Sequence, residues 1–376
     1  MRILMLSANT GEGHNSSAKA LMEVLQSRGV ECQLQDCLAY LSPNFSKFIC
    51  DWHVRIYQYG GKIFDKGYRF LENTANPENF NPIYELISLG AGKLRDAIME
   101  EDFDGVVCVH PFAGTMITEV RRSWGMEIPT CLVATDYTCS PTVEQCDLDT
   151  FFVPAAEICR EFELAGIPRE KQMVTGIPVR QGFYEKADRQ QARTTLQLPQ
   201  ESLVVLVMCG SMGCGPIERI AEETLSQMPE DSVMVAVCGR NEKLRESMER
   251  IRDPRLRVTG FIHNFTTYLD SADLIITKPG GLSSTEAANK HVPMVFINTV
   301  GGCESRNFDH YVKKGYAVGS SEPEEVIRIA IRMVWDTASR EKMRKTLTEA
   351  FYTNTGVVMA DHIISAAEEY RRIITE

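Results

Sequence analysis

The sequence predicts an α/β protein of two parallel-sheet domains with a cleft between them, and three observations predict it. Short apolar runs rich in Val and Ile alternate with helical patterns over nearly all of the 376 residues, the pattern of parallel strands covered by helices. That length exceeds one typical domain and fits two of roughly 150 to 200 residues. Glycine and polar residues cluster where the apolar runs end, which is where open parallel sheets hold their ligands. Each half is therefore expected to be Rossmann-like.

In the first half the strand candidates are Arg2–Ser7, Val30–Cys37, Gly105–His110, Pro129–Ala134 and Thr150–Val153. Each is short and apolar, as a strand buried on both faces must be. The second half repeats the scheme with Leu203–Cys209, Ser232–Cys238, Leu256–Thr259, Leu274–Thr277 and Met294–Asn298. The stretch 176–201 holds two prolines and a polar helix-like piece without a core pattern, and reads as the interdomain connection. The expected division is 1–175 for the first domain, 202–350 for the second, and a C-terminal helix over 351–376 that packs back across the domains.

Hydrophobic residues make up 44% and charged residues 24% of the chain, ordinary for a globular protein with a sizeable core. No run of about 18 apolar residues is present, and the opening Met1–Ser7 turns polar too soon for a signal peptide, so a cytoplasmic location is expected. The 12 cysteines are scattered without a CxxC pair. Cys108, Cys131, Cys209 and Cys238 fall in apolar runs, so buried thiols are expected in place of disulfides or zinc. The formal net charge of −11 argues against nucleic acid as a partner, which would call for a basic face.

One insertion breaks the alternation. Phe45, Phe48, Ile49, Trp52, Ile56 and Tyr59 recur at helical spacing, followed by Phe64, Tyr68 and Phe70, among Lys47, Arg55, Lys62, Lys66 and Arg69. An aromatic stripe flanked by cations suits an interfacial helix entering a lipid headgroup region. An amphipathic helix packed on its own domain is the alternative. Phe45, Phe48, Trp52, Arg55, Tyr59 and Lys62 are the residues assigned to membrane and acceptor contact.

The most informative stretch is Lys278-Pro279-Gly280-Gly281-Leu282-Ser283-Ser284-Thr285-Glu286, which follows the apolar run Ala272–Thr277 and opens a helical pattern. Two glycines let the backbone approach an anion, the first-turn N–H groups point at it, and the helix dipole adds to the attraction. Glu286, one turn further in, suits a sugar diol. A plain strand-to-helix turn is the alternative.

Two other loops carry chemistry. Ser7-Ala8-Asn9-Thr10-Gly11-Glu12-Gly13-His14 lacks the GxGxxG pattern, and no acidic residue closes the second strand as a dinucleotide site requires, so a nicotinamide dehydrogenase is disfavoured. Its glycines let His14 project from a helix start, and histidine, which titrates near neutrality, suits a general base; a capping or packing histidine is the alternative. Cys209-Gly210-Ser211-Met212-Gly213-Cys214-Gly215 suits a diphosphate but lacks the Lys-Ser/Thr ending of a Walker loop. With the 278–286 motif it can hold opposite sides of one nucleotide diphosphate.

Taken in order, Ser7–Asn15, Thr135-Asp136, Thr175-Gly176-Ile177-Pro178, Cys238-Gly239-Arg240-Asn241, Lys278–Glu286 and Gly302–Asn307 resemble the monogalactosyldiacylglycerol synthase and processive diacylglycerol glucosyltransferase family. The carboxyl half is similar to the wider glycosyltransferase family twenty-eight. The resemblance covers almost the full length. It implies the GT-B fold, two Rossmann-like domains facing across a cleft, with a UDP-sugar in the C-terminal domain and a lipid acceptor at the N-terminal one. It also implies inversion of the anomeric centre with no bound metal and no cofactor beyond the donor substrate.

Carried onto this chain, the resemblance implies that Gly210, Ser211, Met212 and Gly213, with Gly280, Gly281, Leu282 and Ser283, hold the diphosphate. Glu286 would take the uridine ribose, the backbone of Phe261 and Ile262 the uracil, and Glu304 and Asn307 the donor sugar and phosphate. Gly239, Arg240 and Lys278 are counted with the same donor site. His14 would be the base that takes the acceptor proton, with His110 or Asp136 orienting it or lining the cleft.

The chain departs from the family in two places. Relatives carry Pro-Gly-Gln-Glu before the closing Asn, whereas this chain has Gly301-Gly302-Cys303-Glu304, so an amide contact to a sugar hydroxyl is missing and the choice of sugar stays open. After Thr135-Asp136 relatives tend to have histidines and a tryptophan, whereas this chain continues Tyr137-Thr138-Cys139-Ser140, which leaves the acceptor open. The expected function is an inverting glycosyltransferase, peripheral on the cytoplasmic face of the membrane, that moves a hexose from a UDP-sugar to a lipid hydroxyl, most simply diacylglycerol. Two other readings stay open: a GT-B enzyme with another acceptor or reaction, such as a UDP-sugar epimerase, and a non-catalytic UDP-sugar sensor.

Overall fold

The alternation of the sequence becomes two six-stranded sheets, parallel throughout. The computed structural model describes residues 1–8, 12–47, 49, 82–208, 210, 216–297 and 301–376. The chain divides into two compact units, one of residues 1–181 with 354–376 and one of residues 182–353.

The first unit contains β1 (Arg2–Ser7), α1 (Glu12–Ser27), β2 (Glu31–Asp36), α2 (Pro82–Ser88), α3 (Ala91–Glu100), β3 (Gly105–Cys108), α4 (Pro111–Trp124), β4 (Thr130–Val133), β5 (Thr150–Val153), α5 (Cys159–Leu164) and β6 (Gln172–Val174). Its strand order is β2-β1-β3-β4-β5-β6. Side chains alternate across β1: Leu4 and Leu6 join α3 and α4 in one core, while Ile3 and Met5 join α1 in the other. Both faces are covered, which is why the strand reads as a continuous apolar run instead of an alternating one.

The second unit contains α6 (Arg189–Thr195), β7 (Val204–Met208), α7 (Ile217–Leu225), β8 (Val233–Val237), α8 (Glu242–Glu249), β9 (Leu256–Thr259), α9 (Phe265–Ser271), β10 (Leu274–Thr277), α10 (Gly281–Asn289), β11 (Met294–Ile297), α11 (Cys303–Lys314), β12 (Ala317–Ser320), α12 (Pro323–Trp335) and α13 (Thr337–Ala350). Its order is β12-β11-β10-β7-β8-β9, the doubly wound order of nucleotide-binding sheets. The last helix, α14 (Thr355–Thr375), lays Met359, Ala360, Ile363 and Ala367 against the α1 side of the first sheet.

Several expectations need correction. The stretch 176–201 is not a separate connection. Its start stays with the first unit, where the Thr355 hydroxyl donates to the Ile177 carbonyl. Its α6 belongs to the second unit, because the fully buried Arg193 guanidinium donates to the Ser271 carbonyl and to Asp273 at 2.9 Å. A basic residue reads as solvated until its partners are known. The chain returns from the second unit to the first at residue 354, and α14 packs there, as a C-terminal helix packing back would. Strands β6 and β12, three and four residues long, close the sheets at edges where no long apolar run announces them. An acidic residue does close the second strand: Asp36 ends β2, and its carboxylate accepts from the Leu38 N–H at 3.0 Å and from the Ser46 hydroxyl. Phe45 and Ile49, both half-buried, pack against the first core. Phe48, Trp52, Arg55, Tyr59 and Lys62 lie outside the described residues.

Candidate functional site

Parallel sheets gather ligands beyond the carboxyl ends of strands where the chain reverses its winding. In the first unit that point lies between β1 and β3, and in the second between β7 and β10.

At the first point α1 begins at Glu12 and carries His14 in its first turn. The His14 ring donates from Nδ1 to the Val109 carbonyl at 2.9 Å, and the Thr135 hydroxyl oxygen lies 2.9 Å from the same nitrogen. Val109 follows β3 and Thr135 follows β4, so two strand ends meet the imidazole that the helix after β1 carries. His110 is the N-cap of α4, with Pro111 at the first helical position, and its Nδ1 accepts from the Phe112 N–H at 3.1 Å. Its ring stands edge-on to His14 with centroids 4.7 Å apart. Asp136, half-buried, follows Thr135 in a loop anchored by Glu161, whose carboxylate accepts from the Thr138 hydroxyl at 2.7 Å and the Cys139 N–H at 3.0 Å. Gly114 admits the Cys146 thiol, which an added Cβ would meet at 2.7 Å.

At the second point Lys278 leaves β10 and runs past Gly210 to Glu304. Its ammonium donates to Glu304 Oε1 at 2.6 Å, with the two side chains 16% and 5% exposed. Gly210 has φ +70°, and a Cβ there would lie 2.7 Å from Lys278 Cε, so only glycine combines that backbone with that approach. α10 starts after Gly280, an N-cap with extended backbone and no side-chain cap bond. Its first-turn amides, from Gly281, Leu282 and Ser283, are those that a helix leaves for an anion. Asn307 on α11 donates from Nδ2 to the Pro279 carbonyl at 3.0 Å, bracing that turn. Gly301 and Gly302, both at positive φ, lead into α11, whose first turn holds half-buried Cys303 and buried Glu304. Glu286 is buried one turn into α10.

β8 and β9 pair at the far edge of the same sheet. The Arg240 guanidinium lies over the Phe261 ring at 4.9 Å, and Phe261 is 44% exposed. Asn241 caps α8 through the Leu244 N–H, and Gly239 takes φ +60°. Ile262 is half-buried.

The structure therefore brings together His14 with His110 in the first unit, and Gly210, Lys278 and Glu304, with Asn307 on Pro279, in the second. Ser211, Met212 and Gly213, like Asn9 to Gly11, lie outside the described residues. The Val109 carbonyl was missed as a site group from sequence, and Thr135 was noted there only with Asp136, without a role. The signal for Thr135 is a hydroxyl directly after an apolar strand; a backbone carbonyl carries none.

Among the described residues no group of three His, Cys, Asp or Glu side chains is arranged to hold a metal ion, and no helix is long and apolar enough to cross a membrane. Buried Cys108, Cys131 and Cys238 are thiols, and burial pushes the Cys238 pKa up to about 11.

Residues 14–179 match the family model for monogalactosyldiacylglycerol (MGDG) synthase, and residues 204–320 match the glycosyltransferase family 28 C-terminal domain. The chain is similar to a processive diacylglycerol beta-glucosyltransferase of Bacillus licheniformis, at 26% identity over 97% of this chain and 95% of that one. The Bacillus subtilis protein of the same name is 25% identical over 98% and 96%. Among solved structures, Acinetobacter baumannii MurG matches with a TM-score of 0.66 at 16% identity, over 97% of this chain and 99% of MurG. S. aureus MnaA, solved with UDP, matches with a TM-score of 0.61 at 16% identity, over 100% and 98%. These likenesses identify the two parallel sheets as those of the GT-B fold.

Proposed function

As a member of the monogalactosyldiacylglycerol synthase family with a glycosyltransferase family 28 C-terminal domain, this chain is a glycosyltransferase, and we propose that it inverts the anomeric centre while moving a hexose from a UDP-sugar to the hydroxyl of diacylglycerol. The observation that carries the donor half is the convergence of Gly210, Lys278 and the start of α10 at the reversal point of a doubly wound sheet. Uncapped helix amides, a close-approach glycine and a held ammonium suit a diphosphate leaving group. Glu286 takes the ribose, and the backbone of Phe261 and Ile262, with Arg240 of the neighbouring loop over the Phe261 ring, takes the uracil.

The acceptor half rests on His14. The acceptor oxygen forms its bond to the anomeric carbon while its proton passes to His14 Nε2. The bond from that carbon to the diphosphate oxygen breaks, and both electrons leave with UDP. The Nδ1–H bond to Val109 holds the ring in register throughout, as an orienting partner does for a catalytic histidine. Amides and Lys278 stabilise the departing charge, with no cofactor beyond the donor. The acceptor is drawn from the membrane, on whose cytoplasmic face the protein works as a peripheral enzyme.

Consumption of UDP-sugar measured with and without diacylglycerol liposomes tests this reading. Lipid-dependent release of UDP is expected. Equal turnover of the sugar nucleotide without lipid, with no new glycosidic bond, would mean an epimerase-like activity, and binding of UDP with no turnover of any donor would mean a sensor.

A further inference from the structure

A hydroxyl held only by its proton can swing about that bond, and a second contact to its oxygen aims the lone pair that must attack. We infer that His14 and His110 are locked as opposite tautomers and together hold the acceptor hydroxyl, His14 Nε2 taking its proton and His110 Nε2–H donating to its oxygen. This rests on the transferase reading above.

The two rings are chemically the same, so the backbone around them must assign the roles. His14 Nδ1 lies 2.9 Å from the Val109 carbonyl. A carbonyl oxygen only accepts, and a bare ring lone pair facing it at that distance would be repelled, so Nδ1 carries the proton. The Thr135 oxygen at 2.9 Å shares that same proton and directs its own elsewhere. The neutral His14 ring is therefore an Nδ1–H tautomer whose basic nitrogen is Nε2.

His110 is set the other way. The Phe112 N–H only donates, and it reaches His110 Nδ1 at 3.1 Å as the cap of α4. Nδ1 is thus the acceptor and the proton of the neutral ring sits on Nε2. The rings are edge-on at 68° with centroids 4.7 Å apart, close enough for both to serve one small group. Val109 and His110 are consecutive, so a single strand end fixes the tautomer of one histidine and supplies the other. The class of ligand such a pair recognises is an alcohol, a group that donates and accepts through one atom.

Ring-nitrogen NMR of the uniformly 15N-labelled full chain tests the tautomers without any substrate. His14 is expected to show a protonated Nδ1 and His110 a protonated Nε2. In the same preparation, His110→Asn keeps a residue that caps helices well, so α4 keeps its start. Melting temperature and UDP affinity are expected to hold while kcat for lipid glycosylation falls about tenfold or more, the worth of one hydrogen bond to a group gaining charge.

The same tautomer on both rings in a wild-type protein that glycosylates lipid would overturn the paired assignment and leave the transferase reading standing. Opposite tautomers with undiminished kcat in His110→Asn would overturn the hydroxyl-holding role. Opposite tautomers in a protein that transfers sugar to no lipid would overturn that role together with the transferase reading.

Discussion

Asn307, wholly buried on α11, donates from Nδ2 to the Pro279 carbonyl at 3.0 Å. One helix of the second unit thereby fixes the turn from which the preceding helix, α10, presents its first amides. Asn307, which the resemblance implied as a ligand contact, is in this structure a brace for the turn that opens α10.

Asn307→Ala should therefore act on both stability and binding. It leaves the Pro279 carbonyl buried without this donor, at a cost of about 1–3 kcal/mol, and loosens the α10 start. Thermal melts should fall, and calorimetric UDP affinity should drop about tenfold.

Gly210→Ala and Gly315→Ala make a matched comparison. Both glycines have φ near +70°, but a Cβ at Gly210 meets Lys278 Cε at 2.7 Å while one at Gly315 meets nothing within 4 Å. The shared backbone strain costs roughly 1 kcal/mol in each. Only Gly210→Ala should also displace Lys278 and weaken UDP binding, which titration of the two variants side by side would reveal.

Lys278→Met removes the ammonium from beside a Glu304 carboxylate that is 5% exposed. Breaking a buried pair from one side costs about 3–5 kcal/mol, whereas replacing both partners is far milder. The double variant Lys278→Met/Glu304→Gln should therefore be more stable than the single one in urea unfolding. UDP binding should be weakened in both.

His362 on α14 predicts a pH dependence for the first unit. Burial holds its pKa below the ordinary value of 6.5, with Thr150 Oγ1 at 2.9 Å from Nε2. Because the folded pKa is the lower one, the unfolded chain binds more protons in the window beneath 6.5. The contribution is present in full above that value and is lost as pH falls through the folded pKa. His362→Gln should narrow the drop in melting temperature between pH 7 and pH 5 by on the order of 2 °C.

Most of the fold was legible because each central strand is buried on both faces and so reads as an apolar run, as Leu4 and Leu6 do opposite Ile3 and Met5. β6 and β12 escaped notice because short edge strands bury little and carry no such run. The placement of α6 was hidden in Arg193, whose partners Ser271 and Asp273 lie about 80 residues away in sequence. In the site, Gly210, Lys278 and Gly280 were legible as types that suit phosphate. The Lys278–Glu304 pair, the Asn307 brace and the role of Thr135 were not, since each depends on a contact between distant strand ends.

Transfer of labelled hexose from UDP-glucose, UDP-galactose or UDP-N-acetylglucosamine to diacylglycerol liposomes, with wild type beside His14→Ala, tests the central claim most directly. The account predicts a lipid-linked sugar from at least one donor, lost by about 100-fold or more in His14→Ala while UDP binding is retained. No lipid-linked product from any donor, or undiminished turnover in His14→Ala, would contradict it.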